Sequence, residues 1–357
     1  MQSSKHVVVV GAGIIGASLA WHLARAGAQV TIVEAGAAGG VATPNSFAWI
    51  NASWGNPEPY FRLRMRSMRE WSRLKGEVPA LPLDWCGSLC WDLPHDELRA
   101  YATQHAAWGY DIRPVDRSEV LRLEPNLATP PDFALHVAEE GAVEPTAAAL
   151  ALLAEAQRLG AILVRDRTVQ ALLTEGDRIV GLETAEGPME ADEVVVAAGV
   201  GSAALLTEAG IALPMTTPPG LLVHSRPHAR LLNGLVMSAA AHLRQTAEGR
   251  IVAGTDFTGT DPGDDPDGAA ASLFAEAKSM LAGADDLELD FFTVGYRPTP
   301  ADGFPVVGRV AGRAGLYVAV LHSGVTLAPA VGLFGSDEIL SGRRDPLLHP
   351  YGFERFG

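Results

Sequence analysis

The stretch His6-Val7-Val8-Val9-Val10-Gly11-Ala12-Gly13-Ile14-Ile15-Gly16 carries an apolar run straight into Gly-x-Gly-x-x-Gly. Consecutive valines suit a strand covered on both faces, as in a parallel sheet. Ala17 to Gly27 reads as a helix closed by a glycine, Gln29-Val30-Thr31-Ile32-Val33 reads as a second strand, and Glu34 stands at its end. Together these make a complete βαβ dinucleotide fingerprint. Gly11 permits the tight turn, Gly13 lets the backbone approach a pyrophosphate, and Gly16 allows close helix packing. The helix N-terminus adds N–H groups that lack intrahelical partners, at the positive end of the helix dipole. Glu34 suits ribose hydroxyls, and its charge disfavours a 2′-phosphate. The glycines leave open whether the dinucleotide is NAD or FAD.

A chain of 357 residues has room for two domains or one large one. Its 48% hydrophobic and 19% charged content, with mean hydropathy +0.13, excludes a disordered chain. The net charge of −15 opposes a polyphosphate partner, so nucleic acid is not expected. Met1 to His6 is a short polar lead, and the valine run meets glycine at once, which excludes a signal core or a membrane span there. No other segment offers about 18 uninterrupted apolar residues, so a soluble cytoplasmic protein is expected. Thr260 to Gly268 reads as an acidic surface loop. Cys86 and Cys90 are expected on one face of a strand from Trp85 to Trp91, as reduced packing thiols.

After Glu34 the regular alternation of strand and helix stops, unlike the commonest NAD domains. Residues 36–50 form a loop of small and hydroxyl residues, followed by a basic amphipathic helix over Arg62 to Leu74 and another helix at Pro94 to Tyr110. The βαβ and hairpin signals return far downstream: a helix over Thr146 to Leu159, strands at Ala161 to Val164, Thr168 to Leu173 and Ile179 to Thr184, and the run from Glu193 to Gly199. A dinucleotide domain interrupted by insertions accounts for both halves.

Four separated stretches, in order along the chain, resemble the D-amino-acid oxidase-like family of FAD enzymes. This group contains glycine oxidase, sarcosine oxidase and D-amino-acid dehydrogenases. The stretches are Val7 to Gly36 with the Ala42-Thr43-Pro44-Asn45-Ser46 loop; Glu140 to Ala161 followed by Val194 to Ser202; Val294 to Gly308; and Leu316 to Leu340. The resemblance implies an α/β (α+β) fold: a Rossmann-like FAD-binding domain with an interleaved substrate domain on a mixed or antiparallel sheet. The expected FAD-binding pieces are 1–50, 139–213 and 301–357, and the expected substrate-binding pieces are 51–138 and 214–300.

By the same resemblance the FAD contacts carry over to Gly11, Gly13, Ile14, Ile15, Gly16, Glu34 and Ala35, with Thr43, Asn45 and Ser46 facing the pyrophosphate and ribityl chain. Val169 falls at the adenine, Ala198 and Gly199 where a small residue leaves room for the cofactor, and Gly324, Val325 and Thr326 at the flavin edge. A helix N-terminus at that edge would stabilise the negative charge of a reduced ring. No cysteine lies near the Tyr296 motif, so the FAD is expected to be noncovalent.

The activity implied is oxidation of the C–N bond of an amino acid or N-alkyl amino acid by hydride transfer to flavin N5, giving an imine that hydrolyses. Oxygen or another acceptor would take the electrons. Such chemistry needs orientation above all. Arg297, in Gly295-Tyr296-Arg297-Pro298-Thr299-Pro300, matches the family arginine that clamps a substrate carboxylate, a role suited to the planar guanidinium. A structural role between domains is the alternative. His322 is a candidate proton acceptor or hydrogen-bond donor because histidine titrates near neutral pH, and positioning alone is its alternative. His242 stands where relatives carry a substrate-contacting tyrosine, unless it is an ordinary strand histidine. Tyr296 and Trp49 are candidates for the pocket wall. None of Lys5, Lys75 and Lys278 falls in a motif, which weakens an oxidase reading, and Ala301 interrupts the family's Thr-Pro-Asp-Gly run. The alternatives in function are an FAD dehydrogenase of a hydroxy acid, or a flavin-binding subunit of a larger complex. A homo-oligomer is compatible with either.

Overall fold

The computed structural model describes residues 5–52, 55–255 and 261–356. The first residues of the polar lead and the first residue of the acidic loop, Thr260, lie outside them.

The valine run forms the strand His6–Val10, with all four valines buried. It pairs in parallel with Gln29–Val33 on one side and Glu193–Val196 on the other. The six-stranded sheet runs in the order Val306–Arg309, Leu316–Val320, Glu193–Val196, His6–Val10, Gln29–Val33, Ile162–Val164. All neighbours are parallel except the first pair, which is antiparallel. An antiparallel three-stranded sheet, Val169–Glu175, Arg178–Thr184 and Gly187–Glu190, accompanies it.

A second sheet has eight strands, in the order Leu289–Tyr296, Pro219–Ser225, Ile251–Gly254, His242–Gln245, Leu235–Ser238, Ser88–Trp91, Phe133–Val137, Ile112–Asp116. It is mixed: Leu235–Ser238 and Ser88–Trp91 are parallel and the other pairs antiparallel. Its strands come from two separated lengths of chain, so the two sheets are threaded through one another. Cys86 precedes the strand Ser88–Trp91, and Gly87 at φ 75° breaks the extended path between the cysteines. The expected shared strand face therefore does not exist, although both thiols are free.

The helix Ile14–Arg25 packs against the last α-helix, Gly324–Ser341, through small residues. The Ser18 hydroxyl donates to the Ala328 carbonyl (2.7 Å), and a Cβ on Gly335 would lie 2.8 Å from Leu19 Cδ2. Pro329 sits inside this last helix and has no N–H to give the Val325 carbonyl. Trp71 Nε1 donates to that carbonyl instead (3.1 Å), and Ser67 Oγ accepts from Ala330 N (3.3 Å). Both donor and acceptor come from the helix Glu58–Glu77, which lies in a span expected to serve the second sheet but packs on the last α-helix. Two distant segments thus stabilise a helix that its own proline interrupts.

Candidate functional site

A cavity of about 760 Å³ lies between the two sheets, within the range of pockets that take small molecules and cofactors. One end is built by the glycine turn and first turn of the first helix. Gly11, Gly13, Ile14 and Ile15 line it, together with Glu34 and Ala35. Gly16 does not line it; a Cβ there would collide with the Gly11 carbonyl, so Gly16 serves helix packing. A Cβ on Gly13 would lie 3.2 Å from Thr43 Oγ1 and would fill the cradle. Glu34 is more committed than the sequence suggests: its carboxylate accepts from Ala12 N (2.7 Å) and Gly36 N (3.2 Å). Each carboxylate oxygen still has lone-pair capacity for a further donor.

Thr43, Asn45 and Ser46 line the middle of the cavity. Thr43 Oγ1 accepts from Ile14 N (3.0 Å), Asn45 Nδ2 donates to the Val41 carbonyl (2.9 Å), and Ser46 Oγ accepts from Ala48 N (3.1 Å). Thr43 therefore ties the loop to the helix N-terminus. Val169, Ala198 and Gly199 also line the cavity. The glycine-cradled amides and the small residues facing them fit the FAD that the sequence motifs imply.

At the other end, the first turn of the last α-helix contributes Gly324, Val325 and Thr326, and Thr326 Oγ1 donates to the Trp49 carbonyl (3.0 Å). Its N-cap, Ser323, is held at φ 58°, a left-handed conformation that is strained for a residue with a Cβ. Burial chiefly, then the Arg297 and Arg64 guanidinium groups, push the His322 pKa down to about 4. At neutral pH this favours the neutral imidazole, a form that can both donate and accept a hydrogen bond. Its ring Nδ1 lies 3.4 Å from Ser323 Oγ.

From the eight-stranded sheet come Leu221, His242 and Arg297. His242 is buried, with its ring edge-on to Phe47 at 6.4 Å. Arg297 follows the strand Leu289–Tyr296 and is half-buried. Gly220 makes room for it: a Cβ there would lie 2.7 Å from Arg297 Nη2. Tyr296 borders the cavity but is 51% exposed, a rim residue rather than a wall. Trp49 is buried, and its Nε1 donates to Glu140 Oε2 (2.8 Å). Glu140 also accepts from Ser88 Oγ (2.5 Å) and Tyr110 OH.

Neither cysteine and none of the three lysines lines the cavity. Among the described residues no group of three or more His, Cys, Asp or Glu side chains is arranged to hold a metal ion, and no helix is long and apolar enough to cross a membrane. Sequence reasoning missed Tyr60, Arg64, Arg167 and Gly220 at this site. The first two had a legible signal: Tyr60, Arg64, Ser67 and Trp71 share one helical face, and Arg64 stands on it where an apolar residue is expected.

Residues 6–336 match the family of FAD dependent oxidoreductases. A glycine oxidase from Pseudomonas aeruginosa is 30% identical over 367 residues, covering 97% of each chain. One from Bacillus licheniformis is 28% identical, over 95% of this chain and 94% of that one. The crystal structure of a glycine oxidase from Geobacillus kaustophilus superposes with a TM-score of 0.87 at 25% identity, over 98% of both chains. The dinucleotide fingerprint, the cavity and the full-length match agree, and the chain belongs to the FAD dependent oxidoreductase family.

Proposed function

We propose that this flavoenzyme oxidises the C–N bond of an amino acid or N-alkyl amino acid to an imine, which water then hydrolyses. The observation that carries this reading is the convergence of Arg297, His322 and the first turn of the last α-helix on one end of a cavity whose other end is the glycine turn. FAD, held noncovalently along the six-stranded sheet, supplies a two-electron acceptor. Arg297 pairs with the substrate carboxylate through two parallel N–H donors and fixes the α-carbon. The amine reacts in its unprotonated form, and the imidazole of His322 has a ring nitrogen able to accept a hydrogen bond from it. His242 and Trp49 shape the wall, and the eight-stranded sheet forms the substrate side. The relatives named glycine oxidase support an amine rather than a hydroxyl donor.

The test is anaerobic mixing of the holoenzyme with a panel of amino acids, N-methyl amino acids and hydroxy acids, followed by admission of oxygen. Bleaching of the flavin absorbance by amine-bearing compounds is the expected result, and return of colour in oxygen identifies the acceptor. Bleaching by hydroxy acids alone would replace this reading with a C–OH dehydrogenase. No bleaching by either, with a stably copurifying partner, would point to a subunit of a larger complex.

A further inference from the structure

Three arginines on the outer face of the helix Glu58–Glu77 are neutralised there, and a fourth, Arg69, is exposed to solvent. Arg62 pairs with Glu58, Arg66 with Glu70, and Arg73 with Glu70 and Glu77. Arg64 departs from that pattern. It is 5% exposed and lines the cavity. Its Nε and Nη2 donate to the carbonyl (3.0 Å) and the side-chain Oδ1 (2.7 Å) of Asn51, both uncharged acceptors. It takes part in none of the ion pairs among the described residues. A buried guanidinium held only by neutral acceptors is costly, and folds retain one where it meets an anion.

Tyr60, one helical turn before Arg64, lines the same cavity. It is buried, and its hydroxyl has no hydrogen-bond partner among the described residues. The Arg64 guanidinium lies 5.4 Å over the Tyr60 ring. An O–H donor and a cation at i and i+4 therefore share one stretch of wall. That stretch belongs to the reacting end, because Asn51 follows the strand Trp49–Ile50, whose Trp49 carbonyl holds Thr326 in the last α-helix. Arg64 and Arg297 both act on the charge of His322. They reach this end from different elements, Arg64 from the helix on the six-stranded side and Arg297 from the eight-stranded sheet.

We propose that Arg64 and the Tyr60 hydroxyl bind a second carboxylate of the substrate, so that the preferred substrates are amines carrying two carboxylates. This deepens the C–N oxidation reading and rests on it. With a monocarboxylate, Arg297 takes the one anion and Arg64 keeps only its neutral partners. With a dicarboxylate, each guanidinium meets an anion and the amine is spanned between two fixed points. The second carboxylate has two chemical sources: the side chain of an acidic amino acid, or the far arm of a secondary amine.

The experiment compares kcat/KM of the holoenzyme for iminodiacetate against sarcosine, and for each enantiomer of aspartate against the corresponding alanine. At least one pair is expected to favour the dicarboxylate by about tenfold or more, and the pair that does so identifies the source of the anion. Arg64→Gln should lower that ratio by about tenfold, with Arg64→Lys recovering part of it, since lysine keeps the charge without the planar fork. In parallel, calorimetric titration compares glutarate, an unreactive methylene isostere of iminodiacetate, with butyrate. Arg64→Gln should weaken glutarate relative to butyrate by a similar factor. The proposal is overturned if monocarboxylates are preferred in both pairs, or if the ratios move less than twofold in an Arg64→Gln protein that retains its flavin. If no amine bleaches the flavin at all, the C–N reading fails, and the glutarate titration still decides whether Arg64 is an anion site.

Discussion

Gly220→Ala tests the Arg297 clamp without removing its charge. Gly220 lies opposite Gly295 in the pairing of Pro219–Ser225 with Leu289–Tyr296, and its φ is not in the left-handed region, so alanine meets no backbone strain. The new Cβ would stand 2.7 Å from Arg297 Nη2 and 3.1 Å from Cζ. Ordinary contact begins near 3.5 Å, so the guanidinium must retreat by about 0.8 Å. It is the far end of a flexible side chain and moves more cheaply than the sheet. A charge-assisted hydrogen bond near 2.8 Å stretched by that amount is largely lost, and each is worth about 1.5–3 kcal/mol. Losing one of a bidentate pair predicts a decrease of about 10- to 100-fold in kcat/KM for a carboxylate-bearing amine. The assay is steady-state turnover with flavin content and Tm measured on the same preparation. Turnover within twofold of wild type, with FAD bound, would refute the clamp. A Tm loss beyond about 4 °C would show instead that the sheet, and not the guanidinium, gave way.

His322 supplies a second prediction, with a definite sign. Its folded pKa of about 4 lies below the ordinary 6.5, so between those values the unfolded chain binds more protons. Stability contributed by neutral His322 should fall as pH drops from 6.5 towards 4, by up to about 3 kcal/mol. His22, pushed to about 3, and His224, to about 4, act in the same direction. Urea midpoints at about pH 7 and about pH 4.5 should show a smaller loss for His322→Asn than for wild type. The same shift predicts no His322 inflection in kcat/KM between about pH 5 and 8; one that disappears in His322→Asn would contradict it. Trp71→Phe leaves the Val325 carbonyl beside Pro329 without its donor and should destabilise the protein by about 1–3 kcal/mol, read by urea unfolding. Burial pushes the Cys86 thiol to about 11 and Cys90 well above its usual range, so alkylation at about pH 8 should be slow in the native protein and fast in urea.

Much of the fold was legible because its signals are local. The valine run, the glycine spacing and Glu34 specify strand, turn, helix and strand within one short segment, and backbone geometry does the rest. The same locality made the far strand Glu193–Val196 readable, whereas the last α-helix was implied by the family resemblance. The cysteine strand failed for a local reason too: Gly87 adopts a positive φ that alternation alone does not anticipate.

Contacts between segments distant in the chain were not legible. Nothing in the neighbourhood of Pro329 announces that Trp71 will donate to the carbonyl it strands, and nothing near Gly220 announces a guanidinium from Arg297. His322 looked like a group poised near neutral pH, because an isolated imidazole is; burial beside two arginines makes it a neutral one. Arg64 looked like one more cation on a basic helix, and only packing of that helix face against the cavity separates it from its salt-bridged neighbours. Periodicity and spacing specified a dinucleotide site, since those constraints act along the backbone, and the family resemblance narrowed it to FAD. The charge state and orientation of the groups around the substrate arise from packing and desolvation across the fold, which no single stretch of sequence carries.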